Sequence, residues 1–168
     1  MCLFAHIFTL VLHCQTIHSN YLHQQLNVGD TIALSPPCGE FMLDNGKDPV
    51  VLITAGVGVT PAISMLKASA GQREVHFIHA CKNMAQHSFK ALSDQLSEQH
   101  DNVHTRYVYE NVDGLIKQQT LAEHLPGNAH VYFLGPVPFM STVKTLLSKM
   151  GVPAERQHFE FFGPAQAI

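Results

Sequence analysis

Charge is scarce in this 168-residue chain. Ten basic and 13 acidic residues make up 14% of it and leave a net charge of −3, so nothing argues for nucleic acid as a partner. Cysteine is thinly spread. Cys2, Cys14, Cys38 and Cys81 form no C-x-x-C, which disfavours an iron–sulfur cluster or zinc ribbon and requires no disulfide framework. Free thiols in a reducing cytoplasm suit them. The apolar start, Met1 to Leu12, falls short of the roughly 20 residues that span a bilayer. It also lacks the basic flank and cleavage site of a signal peptide, and reads as a truncated or frame-shifted start. No Arg precedes Arg73, and no internal repeat or low-complexity segment occurs. The twelve histidines are scattered. His76 and His79, three apart on a predicted strand, face opposite sides, and His100 and His104 straddle a turn, so no metal site is expected.

What the chain holds in quantity is apolar residue, 46% of it, enough for a sizeable core and contrary to disorder. Residues 19 to 43 read as short strands and turns, with a turn at Asn27–Asp30, an alternating strand at Thr31–Leu34 and a stiff loop at Pro36–Gly39. The stretch Asp44 to Pro49 is dense in turn residues and places a domain boundary, with 1–47 on one side and 48–168 on the other. The pattern then becomes βαβα. Strands are predicted at 50–54, 74–80, 103–109, 130–134 and 157–162, and helices at 60–69, 87–99, 118–125 and 137–150. Such alternation predicts a parallel sheet wrapped on both faces, with ligands at the carboxyl ends of its strands. Gly71 and Gly151 fall just past helix ends, where a left-handed cap residue is wanted.

The most informative stretch is Val50-Val51-Leu52-Ile53-Thr54-Ala55-Gly56-Val57-Gly58-Val59-Thr60-Pro61. Its β-branched run, free of charge and of polar alternation, suits a parallel strand covered on both faces. Gly56 and Gly58 permit a sharp turn and hold no side chain against a ligand. Thr60 is placed to cap the next helix, and Pro61 fits its first turn. Such a junction aims backbone N–H groups and a positive helix end at whatever lies above the strand, and a pyrophosphate fits there. The G-x-G-x-x-G fingerprint is absent, because Thr60-Pro61 stands where a third glycine would come.

This segment resembles the pyridine-nucleotide loop of the ferredoxin-NADP reductase superfamily, usually G-G-V-G-x-T-P, with Ala55 at the first glycine. Val131 to Met140, containing Leu134-Gly135-Pro136, is similar to the family's Cys-Gly-Pro motif, and His158-Phe159-Glu160-Phe161-Phe162-Gly163-Pro164 to its terminal strand. Within the superfamily the wording resembles the reductase half of bacterial flavohemoglobins, the nitric oxide dioxygenases: Ser19-Asn20-Tyr21-Leu22-His23, Val28-Gly29-Asp30, Pro36-Pro37-Cys38-Gly39-Glu40-Phe41 and Val75-His76-Phe77-Ile78-His79. The resemblance implies an α/β NAD(P)-binding domain of ferredoxin reductase type after a partial antiparallel flavin-binding β-barrel. It implies that Ala55, Gly56, Val57, Gly58, Val59, Thr60 and Pro61 cradle the pyrophosphate, and that Gly135 and Pro136 shape the nicotinamide end. Glu160 and Phe162 would meet the flavin ring, as an acid that tunes it or passes a proton and an aromatic that stacks on it. Phe161, Gly163 and Pro164 accompany them, and Ser19 and Asn20 reach a flavin phosphate.

The implied reaction is hydride transfer from NAD(P)H to FAD, with electrons passed to a globin heme that oxidises nitric oxide. The flavin side departs from the family. Its Arg-x-Tyr-Ser strand is missing, its Gly-x-x-Ser survives only as Thr16-Ile17-His18-Ser19, and no globin is present, so heme chemistry is not expected of these residues. Leu134 replaces the cysteine beside the hydride path. At the end of the second strand only Lys82 is available for a 2′-phosphate, which favours NADH over NADPH. Two other readings stay open: a degenerate chain that binds nucleotide without catalysis, and a reductase component of a multi-protein oxygenase, against which the lack of iron–sulfur cysteines counts.

Overall fold

A computed structural model describes residues 17–33 and 41–160. Contacts divide the chain into two compact units, Met1–Glu40 and Phe41–Ile168. In the first, α1 spans Ile17–Gln24, where short strands and turns are expected from the sequence. Neither Gly nor Pro interrupts it, and a helical bond from the Gln25 amide to the Tyr21 carbonyl (2.9 Å) closes its end. The turn at Asn27–Asp30 forms, with the Asp30 carboxylate accepting from the Asn27 amide at 2.7 Å. Residues 31–33 are not in a strand, while Leu34, the Pro36–Gly39 loop and most of the expected barrel lie outside the described residues.

The second unit alternates as predicted. Its elements are β1 (Val50–Ala55), α2 (Val59–Ser69), β2 (Val75–Cys81), α3 (Lys90–Gln99), β3 (Val103–Tyr109), α4 (Glu110–Asp113), α5 (Gln118–Ala122), β4 (His130–Leu134), α6 (Val137–Lys149) and β5 (Gln157–Phe159). All strand pairs are parallel, in the order β3-β2-β1-β4-β5. Every residue of β1 is buried, because it is central and flanked on both edges. Side chains alternate across it. Val51 and Ile53 join Ile78, Val131 and Phe133 under α6 through Met140, Val143 and Leu147. Val50 and Leu52 join Val75 and Phe77 under α2 through Ile63 and Leu66. The sheet is thus covered on both faces, as expected from the uncharged run of β1.

Several boundaries differ from the sequence reading. Helix α3 begins at Lys90 rather than 87 because Asn83 Oδ1 accepts from the Gln86 amide (3.2 Å), closing a 3₁₀ turn, and Phe89 takes a left-handed φ of +62°. Helix α5 stops at Ala122, just ahead of Pro126-Gly127, and the short α4 was not anticipated. Gly71 (φ +71°) and Gly151 (φ +77°) adopt the left-handed conformation expected after their helices. Among the described residues no helix is long and apolar enough to cross a membrane.

Residues 41–47 pack with the second unit, ahead of residue 48, where the sequence suggests its start. Phe41 meets the Tyr132 ring edge-on at 5.8 Å, and the Asp44 amide donates to the Tyr132 hydroxyl at 3.0 Å. Arg73, itself buried, pairs with Asp44 Oδ1 at 2.5 Å and donates to the Gly46 carbonyl at 2.9 Å. Removing one partner leaves a buried guanidinium uncompensated. Asp44→Ala is therefore expected to lower unfolding free energy by about 3 kcal/mol in urea titrations, and an effect within error would show the pair is solvated.

Histidine carries much of the interior polarity. His79 is fully buried, and its Nδ1 lies 2.8 Å from Thr54 Oγ1. Burial first, and the neighbouring His87 second, push its pKa down to about 4. The native state therefore keeps His79 neutral where the unfolded chain, near 6.5, already binds a proton, so stability falls as pH drops through that window. Burial also lowers His87, His124 and His158. Denaturation between pH 6.5 and 4.5 should show a slope that His79→Gln reduces by up to about 1.4 kcal/mol per pH unit. An unchanged slope in the variant would assign the acid sensitivity elsewhere.

Candidate functional site

The turn that leaves β1 is built from two glycines with different tasks. Gly56 is exposed with φ +54°, and a Cβ built on it would meet nothing within 4 Å, so open space lies above it. Gly58 is buried instead. A Cβ there would lie 2.7 Å from the Leu134 carbonyl oxygen and 2.9 Å from the Gly135 nitrogen. The sequence reading that Gly58 stands aside for the ligand is thus corrected in its reason: Gly58 lets the turn after β1 touch the turn after β4. Gly135 answers it, since a Cβ there would lie 2.8 Å from Phe139 Cδ1 and 3.1 Å from the Ala55 methyl. Ala55, buried at the strand end, therefore points its extra methyl at the second motif.

The helix start differs from expectation in one detail. Gly58, not Thr60, is the N-cap of α2, and no side chain caps it. Thr60 Oγ1 donates to the Val57 carbonyl at 3.0 Å. The first turn of α2 contains no acidic residue, which leaves the positive helix end unopposed. Across the cleft, Pro136 is the N-cap of α6, with Pro138 in its first turn.

A cleft of about 420 Å3 opens at the carboxyl ends of β1, β2 and β4. Of the residues singled out from sequence, Ala55, Gly56 and Pro136 line it. Gly58 and Val59 are buried, Gly135 is half-buried, Val57 is exposed in the turn, and Thr60 and Pro61 belong to the first turn of α2. Lys82, noted from sequence, and Phe139, from the second motif, also line the cleft, as do Cys81, Glu110, Leu115 and Thr142, which were not anticipated. The loop through α4 brings in Glu110 and Leu115, and no motif marks it. Burial pushes the Cys81 thiol up, and its Sγ donates to the Asn83 carbonyl at 3.4 Å.

Of the residues expected to meet a flavin, Glu160 is exposed one position past β5 and does not line the cleft. Phe161, Phe162, Gly163 and Pro164 lie outside the described residues. Ser19 and Asn20 belong to α1 in the first compact unit, with Asn20 exposed.

A parallel sheet of this order, with a glycine turn and a cleft where the strand order reverses, defines a nucleotide-binding domain of the doubly wound class. The chain belongs to the oxidoreductase NAD-binding domain family, whose family model matches residues 52–145. It is 45% identical over 161 residues to the flavohemoprotein of Pseudomonas putida, covering 89% of this chain and 41% of that protein. Identity to the Pseudomonas aeruginosa flavohemoprotein is 42%, with the same coverage. The crystal structure of the flavohem-like FAD/NAD-binding domain of nitric oxide dioxygenase from Vibrio cholerae O1 biovar El Tor superimposes with a TM-score of 0.74 at 34% identity, covering 87% of this chain and 64% of that one. The chain thus spans about 41% of the length of the flavohemoproteins it matches. The ferredoxin-reductase type of domain, expected from the motifs, is borne out.

The two glycines meet different surroundings, open space at Gly56 and packed backbone at Gly58. Gly56→Ala places a methyl in the open space of the cleft and strains a left-handed residue by about 1 kcal/mol. Gly58→Ala drives a methyl into the backbone of the second motif, at about 1–3 kcal/mol. Calorimetry with NADH and urea unfolding should show binding as the larger loss in the first variant and stability as the larger loss in the second. The reverse pattern would exchange their assignments.

Proposed function

We propose that this chain is the NAD(P)H-dependent reductase module of a flavohemoprotein-type nitric oxide dioxygenase, in which reducing equivalents pass from NAD(P)H through FAD to a globin heme. The observation that carries the reading is the glycine turn opening onto the cleft at the sheet's switch point, in a chain whose flavohemoprotein relatives reach 45% identity. Those relatives favour this reading over an oxygenase component or a non-catalytic binder.

The site fits a dinucleotide. Nicotinamide, when bound, supplies a hydride. Gly56 leaves room for the pyrophosphate, whose charge the unopposed N-terminus of α2 attracts. Pro136 and Phe139 form an apolar wall for the ring, and their exclusion of water keeps the hydride from wasteful side reaction. Lys82 is the basic residue among those lining the cleft, with the acidic Glu110 also there. This balance suits the uncharged 2′-hydroxyl of NADH better than a 2′-phosphate.

The flavin roles of Glu160, Phe162, Phe161, Gly163, Pro164, Ser19 and Asn20 belong to the same proposal, as does a cytoplasmic location. The test is calorimetric titration of the chain with each nucleotide. NADH should bind with a Kd below about 1 mM, about −4 kcal/mol or better, and NADPH several-fold more weakly. Absence of heat with both at millimolar concentration would overturn the assignment.

A further inference from the structure

At the amino edge of the sheet, opposite the nucleotide cleft, the fold gathers a second set of polar side chains. Glu74 immediately precedes β2, and His76 follows two positions later on the same face. His104 on β3 is the register partner of His76, so the parallel ladder sets the two imidazoles side by side, ring centroids 4.7 Å apart. One ligand atom from each of Glu74, His76 and His104 lies within 4.8 Å of the others. Glu74 Oε1 and His76 Nε2 are already 2.9 Å apart.

We propose that Glu74, His76 and His104 form a binding site for a divalent transition-metal ion of the zinc class, clipping β2 to β3. Three features carry it. The donor set is two imidazoles and one carboxylate, which suits zinc, nickel or copper rather than magnesium or calcium. Burial is graded: His76 is 8% exposed and fixed in place, while Glu74 and His104 are exposed, so an ion can reach the site and the outer ligands can turn onto it. Lastly, His76 has an outer partner. His124 Nδ1, arriving from the end of α5, lies 3.4 Å from His76 Nδ1. With the proton of that contact on His76 Nδ1, an ion that displaces the proton between Nε2 and Glu74 meets the Nε2 lone pair, the arrangement that orients metal-bound imidazoles. The separations need only modest turning of His104 and Glu74 to reach metal–ligand bonds of roughly 2.0–2.2 Å, and water completes the coordination.

The linear spacing of these residues hides the site, because only the β2–β3 register brings His104 to His76. The site is independent of the nucleotide reading, since its ligands lie at the other end of the strands.

The test uses the full chain, first stripped with a chelator. Zinc chloride should bind at one equivalent in calorimetry and raise Tm by about 5–10 °C at 100 times Kd. Magnesium chloride should leave Tm unmoved. His104→Ala and Glu74→Gln, both at exposed positions, should retain the Tm of the metal-free chain and the parental NADH affinity, and should weaken zinc binding by about tenfold or more. No Tm shift with zinc would overturn the proposal. So would a shift that persists undiminished in both variants, which would place zinc on other histidines.

Discussion

The contact between two backbone turns governs this domain. Strand β1 lies at the centre of the sheet, pairs with β2 on one edge and β4 on the other, and is buried throughout. Chains leaving β1 and β4 must separate to opposite faces, because α2 and α6 cover opposite sides. They can diverge only from a point where the backbones touch, and Gly58 against Leu134-Gly135 is that point. The absent side chains at 58 and 135 bring the turns together. The space beside them becomes the cleft, lined by Gly56 and Pro136. One turn thus sets a glycine that faces open space two residues from a glycine that packs against backbone.

A second constraint follows from the scarcity of charge. Only 14% of residues are charged, so polar groups inside the sheet layers fall to histidines, hydroxyls and one arginine. Neutral imidazole can be buried at lower cost than an ion, provided its nitrogens find partners. His79 meets Thr54 through Nδ1 while its buried Nε2 has no partner among the described residues, His130 and His158 pair at 3.0 Å, and Tyr107 is held by Ser93 and Asp94 at 2.8 and 2.7 Å. Arg73 is the exception, and the fold meets it with Asp44, Gly46 and the Asp44 carbonyl. That cluster draws residues 41–47 into the α/β unit, although their composition reads as linker.

The two ends of the sheet differ in kind. At the carboxyl ends, loops diverge and leave an apolar cleft with a positive helix terminus. At the amino edge, the β2–β3 register sets Val75 beside Val103 and His76 beside His104. Side chains there meet through register rather than through loop design, which is how His76 and His104 become neighbours.

The sequence alone determined the class of domain and the order of its five strands and of the helices α2, α3, α5 and α6 between them. Strand β1, the glycine turn and β4 were legible because a buried parallel strand needs an apolar run, and a turn of this kind needs glycine. The nucleotide motif was legible for the same local reason. Other features depended on distant partners. Nothing near Gly58 in the chain indicates that Leu134 fills the space beside it, and Thr60 looks like a cap until its hydroxyl is seen to bond Val57. The wall supplied by Glu110 and Leu115 comes from a loop without a motif, and Asp44 reads as a turn residue until Arg73 is placed against it. Local backbone chemistry is written in neighbouring residues, whereas register, close approach and the pairing of buried charge are set by segments tens of residues apart, and only the folded sheet brings those together.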